Sequence, residues 1–330
     1  MEHYVTLFDS LFLPQGLALH MSMERHAGAY TLWIICVDNT AFDVLTRVDL
    51  PNVRLLQLGK LETEALLAVK PTRTKAEYCW TLTPFAPKFV FEADADVARV
   101  TYIDADVWFR KTPAPIFREF DASGKQVLIT DHAYAPEYDD SATSGQYCVQ
   151  FTTFVRGSGE LVRKWWEERC IEWCFSRFED GKFGDQKYLD DWPERFSDYV
   201  HVLGNSDLIL APWNATRFPY ARSVAWHFQG LRLINGWRKN AFVVDYGRYP
   251  LLDAVVRNVY VPYTNDLSNS VQTLLDMGLS IRPQKDKREN WIYHLLRDVY
   301  RNYWRVRSNK IGPLAPAAKN SHLHVPGPLK

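Results

Sequence analysis

Apolar positions along the first 110 residues follow two alternating patterns. Short apolar runs typical of strands alternate with segments in which apolar residues recur at helical spacing. The run YTLWIICV, almost continuously apolar, predicts a strand buried on both faces. This order predicts an α/β fold of βαβ units whose sheet is covered by helices and binds ligands beyond the carboxyl ends of its strands. The predicted strands are residues 4–8, 30–37, 53–58 and 100–103, and the predicted helices are 13–26, 41–48 and 76–92, the last broken or kinked by Pro84 and Pro87.

The pattern changes in the second half of the chain. A polar stretch at 133–146 and a helix at 161–175 separate the strands predicted at 127–130, 147–155 and 224–228, and two helices follow from about residue 267. Four prolines in the last 20 residues favour a disordered tail. The sequence therefore predicts an α/β domain over residues 1–265, a helical basic and aromatic segment over 266–311, and a disordered tail over 312–330.

The composition is that of an ordinary globular protein. Of the 330 residues, 47% are hydrophobic and 24% are charged, which excludes a wholly disordered or collagen-like chain. No apolar run approaches the ~18 residues needed to cross a bilayer, and the N-terminal MEHYVTLFDS does not resemble a signal peptide. Five cysteines form no paired framework, which indicates free thiols in a reducing compartment. We therefore expect a cytoplasmic protein.

The net charge of zero conceals an uneven distribution. Residues 282–330 contain 11 Lys and Arg but 3 Asp and Glu, a net charge of +8, so the preceding residues carry −8. Within this basic end, the stretch 291–307 interleaves apolar and aromatic residues with Arg at helical spacing. The pattern fits a helix that rests on the inner, anionic face of the cell membrane, and it equally fits a helix docked on the protein. No recognised nucleic-acid module surrounds it, so we expect no nucleic-acid partner.

The stretch VTYIDADVWF at residues 100–109 contains the most informative motif. An apolar strand runs directly into Asp104-Ala105-Asp106, so two carboxylates stand where the strand leaves the sheet. Carboxylate oxygens suit Mn²⁺ or Mg²⁺, and two of them leave coordination positions for phosphate oxygens. A solvated turn would carry the same tripeptide. We interpret Asp94-Ala95-Asp96 in that way, because it follows a helical segment, and expect it to lie away from any metal.

Two enzyme chemistries use a strand that ends in this motif. In haloacid-dehalogenase-like phosphatases the first Asp attacks phosphorus, and Gly184-Asp185 with Asp190 imitates their last acidic motif. Their nucleophile usually follows the first strand, whereas three strands are predicted before Asp104. In glycosyl transfer from a nucleotide sugar, the motif holds the metal that bridges the diphosphate. A non-catalytic sugar-nucleotide or carbohydrate-binding protein is a third alternative.

Further motifs stand in order between residues 4 and 232. They are a first strand ending in Phe8-Asp9, a helix with Lys88, the YIDADV motif, a strand with Gln150, Phe183-Gly184-Asp185-Gln186, and His227-Phe228-Gln229-Gly230 followed by Arg232. The ordered set resembles the GT-A glycosyltransferases and, among them, is similar to the family 8 transferases of bacterial lipopolysaccharide and surface polysaccharide. The chain departs from that family in having Gln150 in place of an Asn and Arg232 in place of a more distal Lys.

The resemblance implies a fold, an activity and a set of site residues. The fold would be a Rossmann-like mixed sheet flanked by helices. A sugar would pass from a nucleotide-diphosphate sugar, with a UDP-sugar expected, to a glycan or lipid-linked acceptor with retention of configuration. Mn²⁺ or Mg²⁺ would be held by Asp104, Asp106 and His227, and the transferred sugar would meet Asp185, Gln186 and Gln150. The donor would be bound by Thr6, Phe8, Asp9, Lys88, Asp104, Ala105, Asp106, Gly230 and Arg232.

Two of these residues also have ordinary structural interpretations. His227 lies in the strand-like SVAWHFQG, where a packed strand histidine would fit equally well. Asp185 lies in a Gly-flanked turn that opens a helix, where Asp is a common N-cap. The sequence leaves both interpretations open.

Overall fold

A seven-stranded mixed sheet forms the centre of the protein. The structure, a computed structural model, describes residues 1–235, 242–279, 281 and 321–323. The strands are β1 (Glu2–Phe8), β2 (Tyr30–Cys36), β3 (Val53–Gln57), β4 (Arg99–Ile103), β5 (Val107–Phe109), β6 (Val127–Asp131), β7 (Tyr147–Val155), β8 (Val200–Val202), β9 (Ile209–Leu210), β10 (Ala225–His227), β11 (Arg232–Asn235), β12 (Phe242–Asp245) and β13 (Ser321–Leu323). The order of the central sheet is β3-β2-β1-β4-β7-β6-β8. Strands β1 to β4 are parallel, and β7 runs antiparallel to both neighbours.

Helices cover both faces of this sheet. They are α1 (Leu13–His26), α2 (Asn39–Val48), α3 (Glu64–Val69), α4 (Lys75–Leu82), α5 (Phe85–Ala93), α6 (Ala114–Ser123), α7 (Ser141–Ser144), α8 (Glu160–Glu172), α9 (Trp192–Arg195), α10 (Asp253–Val255) and α11 (Val261–Asp276). On β1, Tyr4 and Phe8 pack with α1, α2 and α6, whereas Val5 and Leu7 pack with α4, α5 and α8. Successive strand residues face opposite sides of a sheet, so a strand covered on both sides needs the continuous apolar run that the sequence shows.

The predicted helix over residues 76–92 is two helices. Helix α4 begins with a capping box, in which Thr74 accepts from the Glu77 backbone and the Glu77 side chain accepts from the Thr74 backbone. Pro84 is the N-cap of α5, so the chain breaks there as the sequence predicts. Helix α4 therefore approaches the sheet near the carboxyl end of β1, and α5 leads back to the amino end of β4.

A small second sheet, which the sequence does not predict in full, crosses the carboxyl end of β4. Its order is β5-β10-β9, and β5 runs antiparallel to β10. The register pairs His227 with Val107, and the Phe228 N–H donates to the Asp106 carbonyl at 2.9 Å. This pairing brings His227 beside the acidic motif.

The C-terminal part packs on the first helix of the chain. Helix α11 lies against α1, and Arg25 pairs with Asp266. The predicted boundary at residue 265 falls inside α11, and β13 falls within the predicted tail. The rest of the basic segment and tail, from residue 282, lies outside the described residues, so the three-segment division stays a prediction. No helix in the described ranges is long and apolar enough to cross a membrane.

Candidate active site

A cleft of about 870 Å³ opens at the carboxyl ends of β1 and β4. Phe8 and Asp9 reach it from the end of β1, and the acidic motif reaches it from the end of β4. Phe8 lies directly over Gly16 of α1, where a Cβ atom would come within 2.3 Å of the Phe8 ring. The carboxyl ends of parallel strands are the expected position of a ligand in such a sheet.

Three ligand-type side chains converge at the centre of the cleft. The Nε2 atom of His227 lies 3.2 Å from Oδ1 of Asp106 and 3.6 Å from Oδ2 of Asp104. One ligand atom from each residue falls within 4.8 Å of the others. The Tyr102 hydroxyl donates to Oδ1 of Asp104 at 2.9 Å, which leaves Oδ2 of Asp104 facing the cluster. Two carboxylates and an imidazole nitrogen form a mixed O/N donor set that suits Mn²⁺ better than Ca²⁺.

The charges of this cluster interact strongly. Burial raises the pKa of Asp104, and the neighbouring Asp106 acts in the same direction, whereas His227 opposes both. Burial opposes the charged form of His227, but the hydrogen bond and negative charge of Asp106, with Asp104, hold the pKa of His227 well above its ordinary value. His227 is therefore a buried strand histidine whose Nε2 faces two carboxylates, and these favour a positive charge at that position.

Asp185 is a buried residue in the lining of the cleft. It precedes the 3₁₀ helix Gln186–Asp191, but its side chain makes no capping hydrogen bond. Its Oδ2 atom has no hydrogen-bond partner among the described residues, although Asp185 lines the cleft. Burial raises the pKa of Asp185 to about 7, Asp104 contributes in the same direction, and Thr83 opposes the rise by hydrogen bonding. Asp185 therefore occupies the N-cap position of this 3₁₀ helix, but its side chain does not cap it.

Most of the predicted donor residues line the cleft, but two do not. Thr6 is buried inside the sheet, on β1. Lys88 lies on α5, pairs with Glu167 of α8 at 3.8 Å and is absent from the lining of the cleft, so its role as a donor contact stays a prediction. The cause is the break between α4 and α5, because a residue so late in this crossover lies toward the amino end of β4. Those that do line the cleft are Phe8, Asp9, Asp104, Ala105, Asp106, Gly230 and Arg232.

The two predicted sugar-contacting amides make other contacts. Gln186 lines the cleft, and its Nε2 donates to the Ser144 carbonyl at 2.7 Å. Gln150 is buried on β7, and its Oε1 lies 2.7 Å from Nδ1 of His227. Its contact is therefore with His227.

The cleft also contains a lysine that the sequence did not single out. Lys75, the first residue of α4, forms ion pairs with Asp9 and, at 3.6 Å, with Asp38. The capping box at Thr74 was a usable signal, because it fixes the start of α4 and hence the residue nearest the strand ends. Other lining residues without a prediction are Trp80, Thr83, His132, Tyr134, Cys148, Trp213, Arg248 and Tyr249.

Two proteins of Bacillus subtilis (strain 168) are similar to the chain in sequence. The uncharacterized protein YfnF is 29% identical over 251 residues, which is 70% of this chain and 82% of YfnF. The uncharacterized protein YfnD is 26% identical over 294 residues, which is 82% of this chain and 90% of YfnD. No protein-family profile matches the chain.

Solved structures of glycosyltransferases resemble the fold. The apo form of the glycosyltransferase GlyE of Streptococcus pneumoniae TIGR4 aligns with a TM-score of 0.50 and 14% identity, covering 87% of this chain and 66% of GlyE. The galactosyltransferase LgtC, solved with donor and acceptor sugar analogs, aligns with a TM-score of 0.49 and 12% identity, covering 81% of this chain and 95% of LgtC. The likeness to GlyE shows that the fold is that of the GT-A glycosyltransferases.

Proposed function

We propose that the protein is a metal-dependent glycosyltransferase that uses a nucleotide-diphosphate sugar. The observation that carries the proposal is the convergence of Asp104, Asp106 and His227 in the cleft of a GT-A fold. The cleft volume of about 870 Å³ accommodates a nucleotide sugar, since small-molecule sites span roughly 300–1,000 Å³. A UDP-sugar donor and retention of configuration are the finer parts of the proposal, and they come from the family 8 resemblance.

The donor set fits Mn²⁺ or Mg²⁺, with Asp104, Asp106 and His227 as ligands. A bound cation would neutralise negative charge that develops on the diphosphate leaving group. Arg232 also lines the cleft and adds a second positive charge near Asp106. Burial raises the pKa of Asp106, but the charges of His227 and Arg232 outweigh it, so the pKa is lowered. The guanidinium of Arg232 donates a hydrogen bond to the Leu231 carbonyl at 2.8 Å and lies over the Phe12 ring. Preorganised charges of this kind account for a large part of catalysis in many enzymes.

The transferred sugar would occupy the side of the cleft near Asp185. The unpartnered Asp185 oxygen can accept a hydrogen bond from a sugar hydroxyl, and the neighbouring Gln186 donates to the Ser144 carbonyl at the end of α7. For the acceptor we propose a glycan or lipid-linked precursor of a bacterial surface polysaccharide or lipopolysaccharide, as the resemblance implies. The anomeric configuration of the product, read by proton NMR, tests the retaining mechanism.

The two alternative functions are distinguishable. The GT-A fold, with β7 antiparallel to β4, disfavours a phosphatase of the haloacid-dehalogenase type. Asp104 is also held by Tyr102 and faces His227, which suits a ligand rather than a free nucleophile. A non-catalytic sugar-nucleotide binding protein would keep the cleft but release no nucleoside diphosphate.

The experiment is a screen of nucleotide sugars for Mn²⁺-dependent release of nucleoside diphosphate. For the donor that is cleaved, Asp106→Asn should lower turnover by roughly 100-fold or more, the scale of losing one charge-stabilising group. The matched control is Asp96→Asn, which changes the same tripeptide at an exposed position after α5 and should keep wild-type activity. Full activity in EDTA, or equal activity of both variants, would contradict the proposal.

A further inference from the structure

Gln150 contacts both sides of the metal cluster. Its backbone carbonyl accepts from the Asp104 N–H at 3.3 Å, where β7 pairs with the end of β4. Its side-chain Oε1 lies 2.7 Å from Nδ1 of His227, which comes from β10 in the second sheet. One buried residue therefore joins the strand that carries the acidic motif to the strand that carries the histidine.

The direction of the His227 hydrogen bond decides which nitrogen faces the carboxylates. An amide oxygen accepts only, so Nδ1 of His227 must carry the proton. The other nitrogen, Nε2, then points at Asp104 and Asp106. In metal sites, the outer hydrogen bond of a histidine ligand fixes its tautomer and ring orientation in this way.

The rest of the environment supports a holding role. The Trp213 ring meets the His227 ring edge-on at 5.5 Å, which limits its tilt. The Nε2 atom of Gln150 has no hydrogen-bond partner among the described residues. Among the described residues, the contact with Nδ1 of His227 is therefore the one hydrogen bond that the buried Gln150 side chain makes.

We infer that Gln150 is a positioning residue that holds His227 with Nε2 directed at the metal site. The inference rests on the proposed function, because it assigns Gln150 to the same cation. It replaces direct contact with the transferred sugar as the role of Gln150. A neutral amide fixes the ring without adding a third negative charge to Asp104 and Asp106.

The test is an isothermal calorimetric titration of the full-length protein with Mn²⁺ alone. Gln150→Met keeps the length of the side chain but removes the accepting oxygen, and it should weaken Mn²⁺ binding by about 10–100-fold. Gln150→Glu restores an acceptor and should bind Mn²⁺ within about 3-fold of wild type or more tightly, as carboxylates commonly serve this role. Gln150→Leu is a second apolar variant in case Gln150→Met does not fold.

The matched control is Gln15→Leu. Gln15 is equally buried, on α1, and neither atom of its amide has a partner among the described residues. Gln15→Leu should leave the Mn²⁺ affinity unchanged. Equal Mn²⁺ affinity of Gln150→Met and wild type would overturn the inference alone, and so would equal losses in Gln150→Met and Gln150→Glu. A wild-type protein that binds no Mn²⁺ would overturn the metal-dependent function as well.

Discussion

At the scale of single residues, the environment of the Asp185 carboxylate opposes folding. It is buried, its Oδ2 atom has no hydrogen-bond partner among the described residues, and its pKa is raised to about 7 from 3.8. At pH values between 3.8 and about 7, the Asp185 carboxyl is ionised in the unfolded chain but protonated in the folded protein. The folded protein therefore loses stability as the pH rises from about 4 to 7, by at most about 1.4 kcal/mol for each pH unit in that interval. Such strain is common at functional sites.

Asp185→Asn should therefore stabilise the protein while it abolishes sugar transfer. Because Asn does not ionise, the gain in unfolding free energy should be small at pH 4.5, should reach a few kcal/mol by pH 7.5 and should stay constant above that. Urea unfolding in EDTA at the two pH values measures it. An equal gain at both pH values would show that the burial of charge at Asp185 is not the cause.

The lysine of the cleft is the second prediction at this scale. Lys75 pairs with Asp9, which follows β1, and with Asp38, which follows β2. If the diphosphate of the donor lies at Asp104 and Asp106 after β4, the nucleoside would lie on this side of the cleft. Lys75→Met should raise the KM for the donor about 10-fold or more, since hydrogen bonds to charged groups contribute ~1.5–3 kcal/mol. Steady-state kinetics with the cleaved donor measures it.

The chain supplies a matched control for this lysine. Lys88→Met removes the same charge from α5, outside the cleft, and should leave the donor KM unchanged. A rise in KM for Lys88→Met, with none for Lys75→Met, would reverse the assignment and restore the role that the sequence alone suggested for Lys88.

At the scale of elements, local signals predicted the strands and helices that flank the site. The continuous apolar run of β2, the Asp38 cap of α2 and the proline break before α5 are all set by neighbours in sequence. The strand β5 was not predicted, because three residues that follow an acidic turn carry no periodic pattern of their own. It becomes a strand through its pairing with β10, more than 100 residues later in the chain.

That long-range pairing also explains what the sequence predicted of the site. The types and order of Asp104, Asp106 and His227 are recognisable as a motif, so the convergence of these three side chains could be predicted. The contacts of Gln150 and Lys75 depend on the register of β7 against β4 and on the angle between α4 and the sheet. Neither the register nor this angle is encoded in a short stretch of sequence, so these two contacts could not be predicted from the sequence.

At the scale of the whole molecule, the charge asymmetry remains to be connected with function. Residues 282–330 carry +8 and the rest of the chain −8. A lipid-linked acceptor is presented at a membrane surface, so a basic, aromatic segment would bring the cleft to it. Each Lys or Arg near an anionic surface contributes about 1 kcal/mol, and several together hold a protein reversibly. We therefore expect salt-sensitive binding to anionic vesicles.

The prediction is tested by co-sedimentation with vesicles of phosphatidylglycerol and phosphatidylcholine. Changing Arg301 and Arg305 to Gln should weaken binding by roughly 30-fold, because about 2 kcal/mol of attraction is lost. The control changes Arg47 and Arg195 to Gln, two exposed residues outside the basic segment. This double change removes the same net charge and should leave binding nearly unchanged. Wild-type binding should also fall as NaCl is raised, since screening shortens the reach of surface charges. Equal losses in the two double variants would show that net charge, and not the basic segment, governs the attraction.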